Sequence, residues 1–454
     1  MKKISIIVTI GFALLLGVSS CKKEINDINK TNPNQFSGAD ASLMLTGAQL
    51  ANVMLNEGES SRTAGMFCGY FKGADRQYLS YSDYSMTAGD FNSGWSTAYI
   101  DGLAQCRIIR AAAAKSNNKV LMAVSSITEA HLLLTLSGLW GDIPNTQACI
   151  DGINEPTFDK MLDVHKYCIN LLDSSMGKAS GNALSVPYAG SFKWDEVANT
   201  LKARALLRMK DYAGAAAAAA KGIKKGGDMY ANHATESPGA WNIFYDFLDY
   251  NRGGYLGCDG SYISPLLDTA ASAKGKTRNN VKTTETKRFY NYFYNGKYSY
   301  TALDPNFFDG IFTPTSNYTL VSYAENELIL AECNQRIGNS AAALVNLNNV
   351  RAELNASYGS YMPYDIADFG PGSLIKGATV GEAMLKEILV EKYVSLFGQI
   401  ETFCDVRRTG NLVGVTPYKG TSLPARFLYP QAEINSNKNT PKGAGLFDAL
   451  ELFK

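Results

Sequence analysis

The chain has 454 residues, a formal net charge of +1 and an apolar fraction of 46%, enough for one large core or two ordinary ones and unlike a disordered or fibrous chain. Its 43 basic residues are balanced by 42 acidic ones, so no overall cationic field points to a nucleic-acid partner. Tyrosine is the outlier, with 26 residues beside 20 phenylalanines and 4 tryptophans, a composition that suits half-wet binding surfaces and a large helical core alike.

Met1-Lys2-Lys3 is a short positive segment, followed by an apolar run over residues 4–18. That run of about fifteen residues is too short to span a bilayer and has the length and flanks of a secretory signal. Val18-Ser19-Ser20 leads directly into Cys21, an arrangement that resembles the bacterial lipobox. The resemblance implies that residues 1–20 are a lipoprotein signal peptide and that Cys21 is the lipid anchor, its sulfur acylated and its partner the outer-membrane lipid. Two or three acyl chains hold a protein stably where one holds it only marginally. Residues 21–36 are polar and nearly free of large apolar groups, which predicts a flexible tether. Lys22, Lys23 and Glu24 resemble the surface-export signals of Bacteroidetes lipoproteins.

From there helical periodicity dominates. Ser37 or Asp40 can cap a helix with Leu43, Leu50, Val53 and Met54 on one face. A second helix is predicted from Trp95 through Ala114. A third runs from about Lys119 to Leu139 on the stripe Leu121, Val124, Leu132 and Leu136, ended by Gly141-Asp142-Ile143-Pro144. Further helices are predicted over 158–176 and from Trp194, with a break at Lys210-Asp211-Tyr212 before an alanine run. Residues 323–352 read as two helices around Gly338-Asn339-Ser340. Such a hairpin of roughly thirty-odd residues resembles a tetratricopeptide repeat and buries its apolar face by stacking on neighbours. A last long helix covers 380–397. By contrast, residues 229–318 are rich in Gly, Asn, Tyr and Thr, lack helical period and exceed an ordinary loop in length. They predict an irregular lobe over the helices, with short strands around Lys287 to Tyr294.

Seven cysteines follow Cys21, scattered and without a CxxC pair, which predicts structural thiols with at most one disulfide rather than a zinc or redox motif. The three histidines, His131, His165 and His233, form no HExxH, and there is no GxSxG elbow or GxGxxG loop. Lys274-Gly275-Lys276-Thr277 resembles a phosphate-loop ending, but Ala270 stands where the first glycine is needed. A glycosidase needs only two suitably spaced carboxylates, so that alternative stays open, without a local motif to support it. The expectation is no catalytic residue, no metal site and no cofactor.

At four places the chain resembles the SusD/RagB family, surface lipoproteins that capture nutrients for TonB-dependent transporters. These are Asp27 to Asn34 with its Asn-Pro step, LWGDIPNTQA over 139–148, KWDEVANTLKARALLRM over 193–209, and the C-terminal pair ILVEKYVSLFGQIETFCDVRRTG and ARFLYPQAEINSN. Phe403 stands where this branch often has Trp. The resemblance implies a mainly α, TPR-like helical-hairpin scaffold forming a single SusD-like domain over 37–454, with the irregular lobe at about 229–318. It also implies a non-catalytic function, binding an oligosaccharide or peptide ligand and delivering it to a TonB-dependent outer-membrane transporter of the SusC-like kind. The charges Glu391, Glu401, Asp405, Arg407, Arg408, Arg426 and Glu433 are then structural ion pairs rather than a catalytic cluster.

Sugar rings present apolar C–H faces and a rim of hydroxyls, matched by flat aromatics and by Asn, Asp, Gln and Arg. Two stretches mix these residue types. In GYFKGADRQYLSYSDY the candidates are Tyr70, Asp75, Arg76, Tyr78, Tyr81 and Tyr84. In WNIFYDFLDYNRGGY they are Trp241, Tyr245, Tyr250 and Arg252. Tyr290 to Asn295 is a third, weaker stretch. Trp95 and Trp194 stand at helix starts and are assigned to packing.

Overall fold

The computed structural model describes residues 41–236, 239–269, 275–294 and 303–454. Cys21, the signal segment and the tether lie outside them. Residues 45–454 form one compact unit, and residues 1–44 group separately.

The principal helices are α1 (Ala41–Glu57), α2 (Glu59–Phe67), α3 (Arg76–Ser82), α4 (Ala104–Lys115), α5 (Lys119–Trp140), α6 (Met161–Ser175), α7 (Trp194–Arg208), α8 (Tyr212–Ala219), α9 (Tyr323–Arg336), α10 (Ser340–Tyr358), α11 (Val380–Ser395) and α12 (Glu401–Arg408). The fold is mainly α. Local chemistry sets the helix ends. Asn118 caps α5 by accepting from Leu121 N at 3.0 Å, and Gly141 ends it at φ +86°. Asp211 accepts from Gly214 N at 2.9 Å after Lys210 turns the chain at φ +62°. Ser322 and Asn339 cap α9 and α10.

These helices stack in sequence. Helix α4 packs on α5, α5 on α6, α6 on α7, α7 on α8, and α9 on α10 and α11. Helix α9 also packs on α8, although about a hundred residues of chain separate them. Everything between is an excursion from a continuous helical stack. Helix α5 is long and apolar enough to cross a membrane by composition, yet it is buried along nearly its whole length and serves as the core. Leu328, Ala331, Leu347, Val350 and Ile388 fill the joint of α9, α10 and α11.

Charge holds the stack as well as apolar packing does. Arg204 donates to both carboxylate oxygens of Glu325 and to Leu320 O. Arg208 pairs with Glu401 and donates to Leu134 O at 2.7 Å. Arg408 pairs with Glu332 and Asp405. Burial alone would raise Glu332 and Glu401, but the arginines outweigh it and hold both carboxyls at about 2. Arg407, Arg426 and Glu433 depart from the expected ion pairs: Arg407 and Arg426 donate to main-chain oxygens, and Glu433 accepts from Trp95 Nε1 at 3.3 Å.

Nine short strands are present among the described residues. They are β1 (Lys72–Gly73), β2 (Ile143–Pro144), β3 (Phe158–Asp159), β4 (Tyr188–Ala189), β5 (Met229–Ala231), β6 (Leu256–Gly257), β7 (Phe293–Tyr294), β8 (Asp304–Pro305) and β9 (Tyr318–Val321). The antiparallel order β4-β5-β9 joins the two ends of the irregular region in one small sheet.

Two expectations are corrected, and the cysteines take the simpler of the two states expected of them. In α1 the predicted apolar stripe splits: Val53 is buried, but Leu43, Leu50 and Met54 face outward, Leu50 at 49% and Met54 at 52% exposure. The buried face combines Leu45, Ala48, Ala51, Val53 and Leu55 with Gln49, Asn52, Asn56 and Glu57, and the polar residues have partners: Asn52 meets His131 Nδ1 at 3.1 Å, and Asn56 Oδ1 accepts from Thr135 Oγ1 at 3.0 Å. Hydrogen-bond satisfaction, invisible in periodicity, lets these polar side chains go inside. Second, the region around Lys287 to Tyr294 is a helix, Thr286–Tyr292, and only Phe293–Tyr294 is strand. The seven cysteines from Cys68 to Cys404 are all free thiols, six of them buried; burial raises the pKa of each buried thiol, as with Cys68 and Cys106.

Candidate functional site

The two aromatic stretches meet in space. Strands β1 and β6 pair antiparallel, with Lys72 opposite Gly257 and Gly73 opposite Leu256, and Ala74 N donates to Tyr255 O at 2.8 Å. This ladder lays the start of α3 beside the end of the Trp241–Tyr255 stretch.

That second stretch is built from a buried asparagine. Asn242 Oδ1 accepts from Phe244 N at 2.9 Å and Tyr245 N at 3.1 Å, while its Nδ2 donates to Ser316 O at 2.8 Å. The short turn Ile243–Tyr245 then widens into a π-helical turn, Asp246–Asn251. Such widenings insert an extra residue into the helical register and re-aim side chains. Here Tyr250 is 63% exposed. Trp241 lies edge-on to Tyr245 at 5.5 Å and to Tyr250 at 5.3 Å, so the three rings form one partly exposed group. Tyr245 donates its hydroxyl to Asp249 at 3.0 Å, and Asn251 donates to Asp246 at 2.7 Å.

One buried carboxylate fixes both ends of the segment that carries Trp241. Glu57 Oε1 accepts from Ile243 N at 2.9 Å, and Glu57 Oε2 lies 2.9 Å from His233 Nε2. Burial raises the Glu57 pKa, opposed by His233, Ile243 N and Arg62.

Arg76 and Arg252, one from each stretch, both lie beside the Tyr255 ring, at 5.7 and 5.8 Å from its centre. Arg76 is exposed and neighbours Asp75, whose Oδ1 accepts from Arg76 N at 2.8 Å. Cations, carboxylates and amides thus border flat rings, the mixture that suits a ligand with apolar faces and hydroxyl edges.

The remaining candidates of the first stretch lie inside. The Tyr70 hydroxyl donates to Thr402 Oγ1 at 2.7 Å and to Tyr393 O. Tyr78 packs against Tyr81, Phe247 and Tyr255, and receives Arg62 Nε at 3.5 Å. Tyr81 donates to Asp90 at 2.7 Å, and the Tyr84 hydroxyl accepts from Tyr418 N at 2.9 Å. All four rings are buried, so they offer no face to a ligand at the surface; Tyr78 and Tyr81 lie on α3 and Tyr70 and Tyr84 flank it, and their hydroxyls find fixed partners inside. In the third stretch Tyr292 and Phe293 are buried and Tyr290 is exposed, while Asn295 lies outside the described residues.

Two exposed features were missed. Tyr255 lies in the second stretch but was not singled out. Phe308 is 75% exposed, displayed by Asn306, whose Oδ1 accepts from Phe308 N at 3.1 Å and Asp309 N at 3.2 Å. The Asn-Phe-Phe-Asp sequence carried that signal, since asparagine shapes such turns.

Among the described residues no group of histidine, cysteine and carboxylate side chains is arranged to hold a metal ion. The buried carboxyl of Glu391, like those of Glu332 and Glu401, is held at about 2 by arginines against the upward push of burial. These groups stay charged at neutral pH, unlike a general acid.

The family described as "Starch-binding associating with outer membrane" matches residues 33–234, and the SusD family matches residues 173–443. The chain belongs to the SusD family. A SusD homologue from Bacteroides uniformis superposes with a TM-score of 0.69 at 16% identity, covering 91% of this chain and 99% of its own. A SusD/RagB family protein from Bacteroides thetaiotaomicron superposes at 0.61 with 18% identity, covering 88% and 95%. A chitin-binding SusD homologue from Flavobacterium johnsoniae does so at 0.62 with 14% identity, covering 90% and 96%. No curated protein matches the chain.

Proposed function

We propose that this protein is a non-catalytic surface lipoprotein that binds a nutrient oligosaccharide and delivers it to a TonB-dependent outer-membrane transporter. The ligand lies against Trp241, Tyr245 and Tyr250, with Arg76, Asp75 and Arg252 at its hydroxyl edge. The observation that carries this reading is the grouping of three rings within 5.5 Å on an exposed turn. Membership of a family described by starch binding and outer-membrane association supports it, as does chitin binding in a structurally similar homologue. Tyr78 supports this stretch from inside through Phe247 and Tyr255, and Tyr70, Tyr81 and Tyr84 are packing residues. Residues 1–20 direct export, Cys21 carries the lipid, residues 21–36 act as tether, and residues 37–454 form one domain whose lobe over 229–318 carries the ligand surface.

The test is a binding screen with neutral oligosaccharides against the wild type and Trp241→Ala. A neutral oligosaccharide that binds the wild type and is lost in the variant supports the reading. Peptide binding without sugar binding, or release of sugar by the purified chain, replaces it. Recovery of the transporter by pull-down from outer membranes tests the delivery step, and fatty-acid labelling lost in Cys21→Ala tests the anchor.

A further inference from the structure

A sizeable cleft lies away from the aromatic group. It has a volume of about 670 Å³, inside the range of small-ligand sites. It is walled by residues 260–266 and 275–280, by the turn carrying Leu374, Ile375 and Lys376, and by helix α11 with Lys386, Glu387 and Val390. Val413 and Thr416 complete the lining, and Tyr262 donates its hydroxyl to Val413 O at 2.7 Å, joining two walls.

Charge in this cleft is lopsided. Lys276, Lys376 and Lys386 are exposed and line it from three separate segments. None of the three forms an ion pair with a carboxylate among the described residues. The carboxylate in the lining, Glu387, is already engaged: its Oε1 accepts from Arg278 Nη2 at 2.9 Å. The Arg278 guanidinium is held in turn by Glu285 at 3.0 Å and Glu391 at 2.6 Å. In a chain whose formal net charge is only +1, three uncompensated lysines around one concavity come from placement, not composition.

Hydrogen bonds order residues 278–285 beside α11. Arg278 N donates to Leu266 O at 2.8 Å, Glu285 N donates to Asn279 Oδ1 at 2.7 Å, and Lys282 N donates to Asn280 Oδ1 at 2.8 Å. Ser261, Thr277 and Thr416 share the lining with the apolar residues Leu374, Ile375 and Val390. A bare inorganic anion would use the lysines and leave the rest idle. A sugar chain bearing anionic groups uses all three elements: lysines for its charges, hydroxyls for its rim, and aliphatic groups for its C–H faces.

We propose that this cleft binds an acidic oligosaccharide, one carrying carboxylate or sulfate groups, at a site separate from the Trp241 ring group. Gly275-Lys276-Thr277, left over from the phosphate-loop comparison, serves here as part of a cationic wall. The proposal deepens the nutrient-capture reading but does not depend on the aromatic platform.

Calorimetry on the full-length protein tests it, with trigalacturonate and a chondroitin sulfate tetrasaccharide as acidic probes and with a neutral trisaccharide and inorganic sulfate as controls. At least one acidic probe is expected to bind. Its affinity should fall about tenfold or more in the K276A/K376A/K386A variant, and should fall again when salt rises from about 50 mM to about 500 mM. Trp241→Ala should leave it unchanged. The lysines are exposed, so the triple variant should unfold at the wild-type temperature, and a scan checks that. The proposal is overturned if neither acidic probe binds, if the neutral sugar competes equally, if sulfate alone binds as tightly as the sugars, or if the lysine variant binds as the wild type does. Loss of the acidic probe in Trp241→Ala would move its site to the ring group and overturn the cleft. Loss of neutral-sugar binding alone would bear on the platform and leave the cleft standing.

Discussion

The helical stack and the exposed turns of the irregular region over 229–318 are shaped by different means, although the base of that region shares the buried arginine pairs of the stack through Arg278 and Arg288. In the stack, arginines sit inside and face carboxylates: Arg204 with Glu325, Arg208 with Glu401, Arg408 with Glu332. In two turns of the irregular region, buried asparagines do the shaping: Asn242 orders the Trp241 turn and Asn306 displays Phe308. A charged pair locks two helices together but leaves nothing to offer a ligand. An asparagine satisfies its backbone neighbours and leaves adjacent rings facing outward. The scaffold keeps its chemistry internal, and the lobe exports it.

The sharpest way to break this contrast is to remove one charge from the stack. Arg208→Ala strips Glu401 of its closest partner and frees Leu134 O. A cost of about 3–5 kcal/mol is expected, measured by denaturant unfolding, with any surviving folded protein still binding ligand. Equal stability of variant and wild type would mean that the pair is not structural.

Acid acts on the same pairs together. Glu332 and Glu401 titrate at about 2 in the folded protein instead of 4.5. Their folded pKa is depressed, so their contribution is complete above pH 4.5 and is lost as pH falls toward 2. Thermal unfolding scanned over that window should show a steep drop, reduced in Glu401→Gln once that variant's own lower baseline is subtracted.

In the lobe the effects should reverse. Trp241→Ala removes the ring that touches both Tyr245 and Tyr250, and a loss of affinity of about tenfold or more is expected, with stability changed by less than about 1 kcal/mol. A large stability loss instead would make Trp241 a packing residue. The smallest effect tests the candidates that turned inward. Tyr84→Phe deletes one hydrogen bond, to Tyr418 N, which should lower stability by about 1 kcal/mol and leave sugar binding intact. A selective loss of binding in that variant would return Tyr84 to the ligand surface.

Much of the stack was legible in the sequence because its signals are local. Asn118 and Gly141 bracket α5, Asp211 restarts the chain after α7, and Gly338-Asn339 turns α9 into α10. Helix α1 was misjudged because periodicity ranks residues by apolarity alone, and Gln49, Asn52, Asn56 and Glu57 go inside where distant partners meet them. Of the ring candidates, Tyr70, Tyr78, Tyr81 and Tyr84 share the composition of Trp241, Tyr245 and Tyr250. Tyrosine is equally at home with its ring in the core and its hydroxyl on a buried acceptor. Composition therefore marked both stretches without distinguishing them.

From the sequence alone follow the helical hairpins, their caps and breaks, the structural role of the C-terminal arginines and membership of a recognisable family, because each depends on neighbours a few residues apart or on a contiguous motif. Tertiary structure alone decided which rings face outward, that β1 and β6 bring Arg76 and Arg252 to one tyrosine, and that three lysines from distant segments share a cleft. Those outcomes rest on contacts between residues more than a hundred positions apart in several cases, and exposure is a property of the packed surface, which no local stretch of chain contains.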